Sequence, residues 1–447
     1  MDLDLSQAEQ HHQQGQQHGH QRQHVPSPLP AWHHRGPAPS WALNLRPRPG
    51  SPPGQGHGGR PREWGPGPSV LPALHPLVAG PLLLAAATTG LQAPVPLPPI
   101  RLGQSAPLSG PSAQLGQEYR EGAQAYFAQV NRGGGVHGRR IELISRDDRY
   151  EPSRTLANTR ALLDQDKVFA LFGYVGTPTT QAILPLVDAR RVPLIAPLSG
   201  AQLLRHPPRP MVFNLRPSYQ RELDQSITYL VRSGRHRIAV VYQADAYGQD
   251  GLLGARRALR RHGLEPVATA AVQRNSLRNG AAASSVAMAR PNGVVLVTAY
   301  GTAADLIRRL HRLGSRAQVM NVSFVGTRAL RDALPPTLAN GIGVSQVVPF
   351  PWDGRLPVVR EYQQLMRRQQ RQPHFGFSSL EGFLAAKVTV EALRRAGPRP
   401  DRPGFVAALE SLRSTDLGGF RVSFAPGDHE GSDFVELTFL GSQHWEP

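Results

Sequence analysis

The chain has 447 residues, room for two or three domains of ordinary size, with 40% hydrophobic residues and a formal net charge of +18. It has no cysteine, which excludes a disulfide framework, thiol catalysis, a cysteine-type zinc site and a lipid-modified cysteine anchor. Its positive charge is arginine almost throughout, Lys167 and Lys387 being the two lysines among 50 basic residues. Pairs such as Arg256-Arg257, Arg308-Arg309 and Arg394-Arg395 fall on separate predicted helices, without the interleaved aromatics that stack on bases. They read as solvated helix faces, and no nucleic-acid partner is expected.

Residues 1–69 are rich in Pro, Gly, Gln and His, and are expected to be a disordered low-complexity tail or sequence upstream of a misassigned start. The tract "HHQQGQQHGHQRQH" falls within it and is read as low complexity, not as a metal site. Residues 70–94 have the order of a secretory signal: Arg60 and Arg62 upstream, an apolar stretch over 77–87, then small residues. That stretch is too short and too broken by proline to span a membrane. A soluble, exported, periplasmic protein is expected, and not a lipoprotein.

From Ile100 the pattern changes. "IRLGQSAPLSG" is a strand ending in a small-residue loop, and "QLGQEYREGAQAYFAQVNRGGG" spaces its apolar residues as a helix does before closing in glycine. "RRIELISRDD" is the next strand, and "EPSRTLANTRALLDQD" a helix with proline just inside its start. A buried strand over 168–172 breaks at Gly173, and a helix opens at Thr177. The rhythm continues with strands at 237–243, 265–272, 293–299 and 317–326, and helices at 248–262, 281–289 and 302–313. Short strands alternating with helices predict an α/β fold with parallel sheets, and there are enough strands for two Rossmann-like lobes.

No residue set for catalysis emerges. There is no phosphate-binding Gly-x-x-x-x-Gly-Lys-Ser/Thr loop, no Gly-x-Ser-x-Gly elbow and no His-Glu-x-x-His helix. "GGGVHG" follows a helix instead of a strand and is a turn. Asp147 and Asp148 at a strand end have the composition of an acid–base or metal pair, but more often such residues make turn hydrogen bonds. The chain is therefore read as a non-enzyme, with no metal and no cofactor. What remains is a polar or aromatic residue at nearly every predicted strand end: Ser109, Tyr174, Thr177, then Ser199 with Gly200. Tyr247, Tyr300 and Ser323 with Phe324 continue the series in the second half. Together these describe the wall of a small-molecule cleft.

Over this whole region the chain resembles the type I periplasmic substrate-binding proteins of ABC transporters, in particular the leucine–isoleucine–valine-binding branch. The resemblance rests on "LSGPSAQLGQEYREGAQAYFAQVNRGGGVHGRRIEL", "RDDRYEPSRTLANTRALL", "GYVGTPTTQAILPLVDARRVPLIAPLSGA", "YQADAYGQDG" and "SSLEGFLAAKVTVEALRRAG", in that order. It implies a monomer of two lobes joined by three crossings, residues 95–216 with 350–415 and residues 217–349 with 416–447. These would close on an amino acid, amide or organic acid and deliver it to the membrane subunits of an ABC permease. The resemblance further implies that Thr177 gives its hydroxyl and N–H to a ligand carboxylate, and that Leu198, Ser199 and Gly200 add contacts. Tyr247 and Tyr300 would close from the second lobe, and Leu115 matches a first-lobe position that is often aromatic.

One departure bears on the ligand. Amino-acid binders of this type hold the ligand ammonium with an acid after a second-lobe strand, and "VSFVGT" has none there. This weakens α-amino acid recognition and leaves room for an amine-free carboxylate, an aromatic acid or an amide. Arg216, near a crossing, either steers an anion or pairs with Glu222. The alternatives to a transporter subunit are a ligand sensor or regulator on the same fold, and an α/β enzyme.

Overall fold

The computed structural model describes residues 97–441. The expected tail (1–69) and signal-like segment (70–94) lie outside the described residues. The chain begins with β1 (Ile100–Ala106), α1 (Ala113–Arg132), β2 (Ile141–Asp147), α2 (Pro152–Asp164), β3 (Ala170–Phe172), α3 (Thr177–Arg190), β4 (Leu194–Ile195) and β5 (Val212–Phe213). These strands form a parallel sheet in the order β2-β1-β3-β4-β5, with Ile100 opposite Ile141 and Ala106 opposite Asp147.

A second series follows: α4 (Tyr219–Arg232), β6 (Ile238–Gln243), α5 (Ala246–Arg261), β7 (Ala268–Val272), α6 (Gly280–Met288), β8 (Gly293–Val297), α7 (Tyr300–Arg312) and β9 (Gln318–Asn321). After it come α8 (Thr327–Asp332), α9 (Pro336–Ala339) and β10 (Gly343–Gln346). The order β7-β6-β8-β9-β10 repeats that of the first sheet, again all parallel. All five residues of β8 are buried, as a parallel strand covered on both faces requires. The chain then returns to the first lobe with α10 (Pro357–Gln369), α11 (Phe377–Ala396) and α12 (Arg402–Glu410). After the small hairpin β11 (Thr415–Asp416) and β12 (Arg421–Val422), strand β13 (Glu436–Phe439) adds antiparallel to β10. The fold is thus α/β with two lobes, and the chain passes between their sheets after β5, after β10 and before β13.

Two local features position the site. In each sheet the order reverses beside its first strand, β1 between β2 and β3, β6 between β7 and β8, and open α/β sheets bind ligands at the carboxyl ends of strands at such a reversal. Helix α11 lies against α1 at backbone distance: a Cβ on Gly122 would stand 1.7 Å from the Ser379 carbonyl oxygen, and one on Gly382 2.0 Å from that of Tyr119. This close crossing carries Glu381 into the interior, where it is buried.

The expected strand over 317–326 ends at Asn321 instead. The Ser323 N–H turns toward the Glu222 carboxylate (2.7 Å), and Ser323–Val325 form a short 3₁₀ turn. Helix α5 begins two residues before the expected 248 because the Asp245 side chain caps it, accepting from the N–H groups of Tyr247 and Gly248.

The lobes touch. One buried apolar cluster runs from Ile100 through Tyr150, Tyr219, Tyr247 and Phe324, members of both lobes. Polar bonds clasp the rim: Arg274 to Glu151 (2.8 Å), Arg328 to Glu118 (3.1 Å), Ser112 to Asn275 (3.0 Å), and the Gln202 N–H to Asp250 (3.0 Å).

Candidate ligand-binding cleft

The first-lobe wall is made of loops that follow β3 and β4. Gly173 (φ 57°) turns the chain out of β3, and Gly176 (φ 99°) leads into α3, conformations that favour glycine. The two loops run side by side: the Leu198 N–H donates to the Tyr174 carbonyl (2.7 Å), and the Gly176 N–H to that of Leu198 (3.2 Å). This sets the Thr177 hydroxyl 2.8 Å from the Ser199 hydroxyl, both fully buried at the start of α3. The first-turn N–H groups of a helix have no partner within it, so this corner is suited to an anion or carbonyl oxygen.

The second-lobe wall is aromatic. Tyr219 opens α4 behind Ser218, whose hydroxyl caps the helix, and Tyr247 lies in the first turn of α5. The rings of Tyr219 and Tyr247 are 5.2 Å apart, those of Tyr247 and Phe324 4.8 Å, and Phe324 meets Tyr150 of the first lobe at 5.7 Å. These rings lie on glycine backbone: a Cβ on Gly176 would stand 2.2 Å from the Tyr150 ring, and one on Gly200 2.7 Å from Tyr219.

Three polar atoms inside this group, the hydroxyls of Tyr219 and Tyr247 and Oε1 of Gln243, are buried with no hydrogen-bond partner among the described residues. The Gln243 amide nitrogen is engaged by Asp245 (2.6 Å) and the Tyr150 hydroxyl (3.3 Å), which leaves its oxygen as the free acceptor. The Tyr219 hydroxyl lies beside the Thr177 hydroxyl and the Gly200 N–H, short of hydrogen-bond geometry to either. Burial pushes the Tyr219 phenol up to about 12 and raises those of Tyr247 and Tyr150 well above the usual range, so all three remain protonated donors. Buried polar groups are normally paired. These three orphans lie on the second lobe, among the rings that meet the first lobe, and make this the candidate site.

Tyr150 has φ 64°, a left-handed conformation unusual for an aromatic residue. Its N–H donates to Asp148 (2.8 Å), whose other oxygen accepts from Ser105 (2.8 Å) and Thr155 (3.1 Å). Burial raises the Asp148 carboxyl to about 6, against these donors, which lower it. Asp147 instead accepts from the N–H groups of Leu108, Ser109 and Arg149 and from the Ser109 hydroxyl. The pair holds turns in place.

Charge is concentrated where the first crossing enters the cleft. Arg216 forks onto Glu381 (2.8 and 2.6 Å) and also donates to the Ser323 hydroxyl (3.0 Å). Glu222, the alternative partner read from the sequence, makes no direct ion pair with Arg216; the Ser323 hydroxyl lies between them, and burial raises the Glu222 carboxyl while the guanidinium lowers it. Its carboxylate accepts from the Ser323 N–H (2.7 Å), the Ser323 hydroxyl (3.0 Å) and the Ser345 hydroxyl (2.6 Å). Behind the Ser199 loop, fully buried Arg205 donates to the carbonyls of Ala201 (3.0 Å), Arg216 (2.7 Å) and Pro217 (3.2 Å), tying that loop to the crossing.

A family model described as periplasmic binding protein matches residues 99–437, nearly all of this two-lobed region. The chain belongs to the periplasmic binding protein family. It is 33% identical to a possible leucine/isoleucine/valine-binding protein from Rhodopirellula baltica SH 1, with a TM-score of 0.73 over 78% of this chain and 96% of that one. It is 34% identical to a substrate-binding periplasmic protein from Ralstonia solanacearum, with a TM-score of 0.73 over 77% and 98%. It is also 26% identical over 216 residues to an amino acid binding protein of Pseudomonas aeruginosa, a match that spans 48% of this chain and 58% of that protein. Among the described residues, no helix is long and apolar enough to cross a membrane.

In this periplasmic binding protein the structure gathers Thr177, Ser199, Gly200, Tyr247 and Phe324 around the orphan atoms. Leu115 reaches across to the second lobe, so that a Cβ on Gly326 would stand 2.6 Å from it. Leu198 takes part through its backbone. The other expected wall residues lie elsewhere. The Tyr174 hydroxyl faces Thr159 (2.9 Å) within a separate first-lobe core, Ser109 is held at the partly exposed rim by Asp147, and Ser323 serves Glu222 and Arg216. Tyr300 is half-buried at the start of α7, with its hydroxyl near the Gln114 N–H of the opposite lobe. Sequence reasoning missed Tyr150, Tyr219 and Gln243. A signal existed for Tyr219, since Ser218 before an amphipathic run marks a helix start, and helix starts were where the other wall residues stood.

Proposed function

We propose that this chain is the exported solute-binding component of an ABC importer, closing two lobes on a small carboxylate, amino acid or amide and presenting it to a permease. The moving bodies are taken as residues 95–216 with 350–415 and 217–349 with 416–447. The single observation that carries this reading is the trio of buried, unpartnered polar atoms on Tyr219, Tyr247 and Gln243 of the second lobe, the first of them beside Thr177 of the first lobe. The groups present there are hydroxyls, an amide and N–H donors, which hold a guest without altering it.

The relatives support the ligand range: one is named as an amino acid binding protein and another as a possible leucine/isoleucine/valine-binding protein. A thermal-shift screen with amino acids, amides and organic acids tests the reading. A true ligand at 100 times its dissociation constant stabilises the protein by about 2.7 kcal/mol and is recovered unchanged. Consumption of the ligand would replace binding by catalysis. Export is tested by sequencing the N-terminus of secreted material, expected near Thr88.

A further inference from the structure

We propose that the end of the second lobe remote from the cleft is a binding surface for an anionic lipid bilayer, where unpaired arginines meet the headgroups and exposed apolar side chains reach the hydrocarbon boundary. This goes beyond the capture of a solute and does not depend on what the cleft holds.

In a parallel α/β lobe the amino ends of the strands and the carboxyl ends of the helices share one end, opposite the strand ends that carry Tyr247 and Phe324. In the second lobe that end gathers Arg232, Arg235 and Arg237 between α4 and β6, Arg290 after α6, and Arg312 and Arg316 around the close of α7. Arg235 is half-buried and the other five are exposed. The neighbouring Arg260 and Arg261 are paired, with Glu265 (3.1 Å) and Asp224, but among the described residues none of the six has an acidic partner. Arg237 donates to the carbonyls of Ala289 (2.7 Å) and Arg290 (3.2 Å), which ties two loops together without cancelling its charge. A basic residue in a last helical turn also complements the helix dipole. The first lobe shows that this role does not require an unbalanced face: α2 and α3 close on Asp164 and Asp188, which pair with Arg190 (3.2 Å) and Arg209 (3.0 Å). The last turns of α4, α6 and α7 carry no acid.

Charge alone would suit any polyanion, and the apolar side chains decide between them. Three of the six large apolar side chains exposed among the described residues stand on this end. Met288 lies in the last turn of α6 and is 78% exposed, and Leu313, just past α7, is 52% exposed. Phe439 is the third, opposite Gly343 at the amino end of β10. Helices α6 and α7 pack side by side, so Met288 with Arg290 and Leu313 with Arg312 project from neighbouring helix ends. Nucleic acid offers these side chains nothing, whereas a bilayer takes the arginines at its headgroups and the apolar groups just beneath. A concavity of about 280 Å³ on the same end, lined among others by Arg235, His311, Arg316 and Asn340, has the donors for a lipid phosphate.

The test is co-sedimentation of the full chain with vesicles of phosphatidylglycerol and phosphatidylcholine in equal parts, and with vesicles of phosphatidylcholine alone. Binding is expected to the anionic vesicles only, and to fall as salt is raised. Arg290→Glu, Arg312→Glu and Arg316→Glu together are expected to weaken it at least about a hundredfold, since each arginine near an anionic surface contributes roughly fivefold. Met288→Ser with Leu313→Ser should weaken it at least about fivefold. The control carries the same change of net charge on the first lobe, Arg132→Glu, Arg140→Glu and Arg191→Glu, all exposed and without an acidic partner among the described residues, and is expected to lose far less. Every variant is checked for an unchanged circular dichroism spectrum, and any contribution from residues 1–96 is common to all of them. Equal losses from the two triple variants would reduce the effect to net charge and overturn the inference. Unchanged binding by the serine pair would remove the bilayer as partner and leave a soluble polyanion, read by titration with duplex DNA. Failure to bind anionic vesicles at low salt would overturn it outright.

Discussion

The first-lobe wall of the cleft is backbone and short hydroxyls, held by glycines in left-handed conformations, whereas the second-lobe wall is large rings standing on the first turns of α4 and α5. The hydroxyls of Thr177 and Ser199 bond to each other at 2.8 Å, while those of Tyr219 and Tyr247 have no partner among the described residues. One side is complete without a guest and the other is not. A wall satisfied by itself can stay in place whether or not ligand is present. A wall with orphaned donors gains from closing on something, so under the proposed function the first lobe would supply recognition and the second the drive for closure.

The largest effect expected comes from the buried charge pair at the first crossing, next to both walls. Arg216→Ala leaves Glu381 buried without its partner and is expected to cost about 3–5 kcal/mol in denaturant unfolding. The double variant Arg216→Met with Glu381→Leu should be far milder; equal damage would mean that packing, not charge, holds the crossing. The next effect is on pH dependence. The Asp148 carboxyl is raised from 3.8 to about 6, so the folded state holds this proton more tightly than the unfolded chain does. Its contribution favours folding fully below the ordinary carboxyl range and is lost as pH rises through 6, a fall of at most about 3 kcal/mol. Asp148→Asn should flatten that part of the profile, read from urea midpoints at pH 4.5 and 7.5. An unchanged profile would put the titration elsewhere.

A smaller change tests the rigidity of the first wall. Gly176→Ala meets both an unfavourable φ of 99° and the Tyr150 ring, and should destabilise by about 2 kcal/mol. Gly263→Ala, with φ 68° but open space around it, should cost less. Similar melting temperatures for the two variants would show that the ring yields freely. The smallest effect separates satisfied from orphaned phenols. Tyr247→Phe should leave the ligand-free protein within about 0.5 kcal/mol of wild type, while Tyr119→Phe, which loses a bond to the Ala196 carbonyl at 2.8 Å, should cost about 1 kcal/mol. A larger loss from Tyr247→Phe in differential scanning calorimetry would mean its hydroxyl has a partner.

Much of this was legible in the sequence because it is local. The helix at Thr177 was announced by Gly173 and by the hydroxyl residues after it, and the alternation of strands and helices by the spacing of apolar residues. The strand at 317–326 was overextended because its end is set by Glu222, about a hundred residues earlier in the chain. Tyr150 was passed over for a similar reason: its place in the cleft depends on an unusual φ, on Asp148 and on the bare Cα of Gly176.

Periodicity, glycine turns and helix starts by themselves determined an α/β chain of two lobes with hydroxyl and aromatic residues at the strand ends, since each depends on neighbours a few positions away. Only the tertiary structure decided which of those residues meet. The Arg216 fork joins residues 165 positions apart, and the Tyr150–Phe324 contact joins residues of opposite lobes. Pairings of that range are settled by how whole sheets and helices pack, and no local pattern carries them.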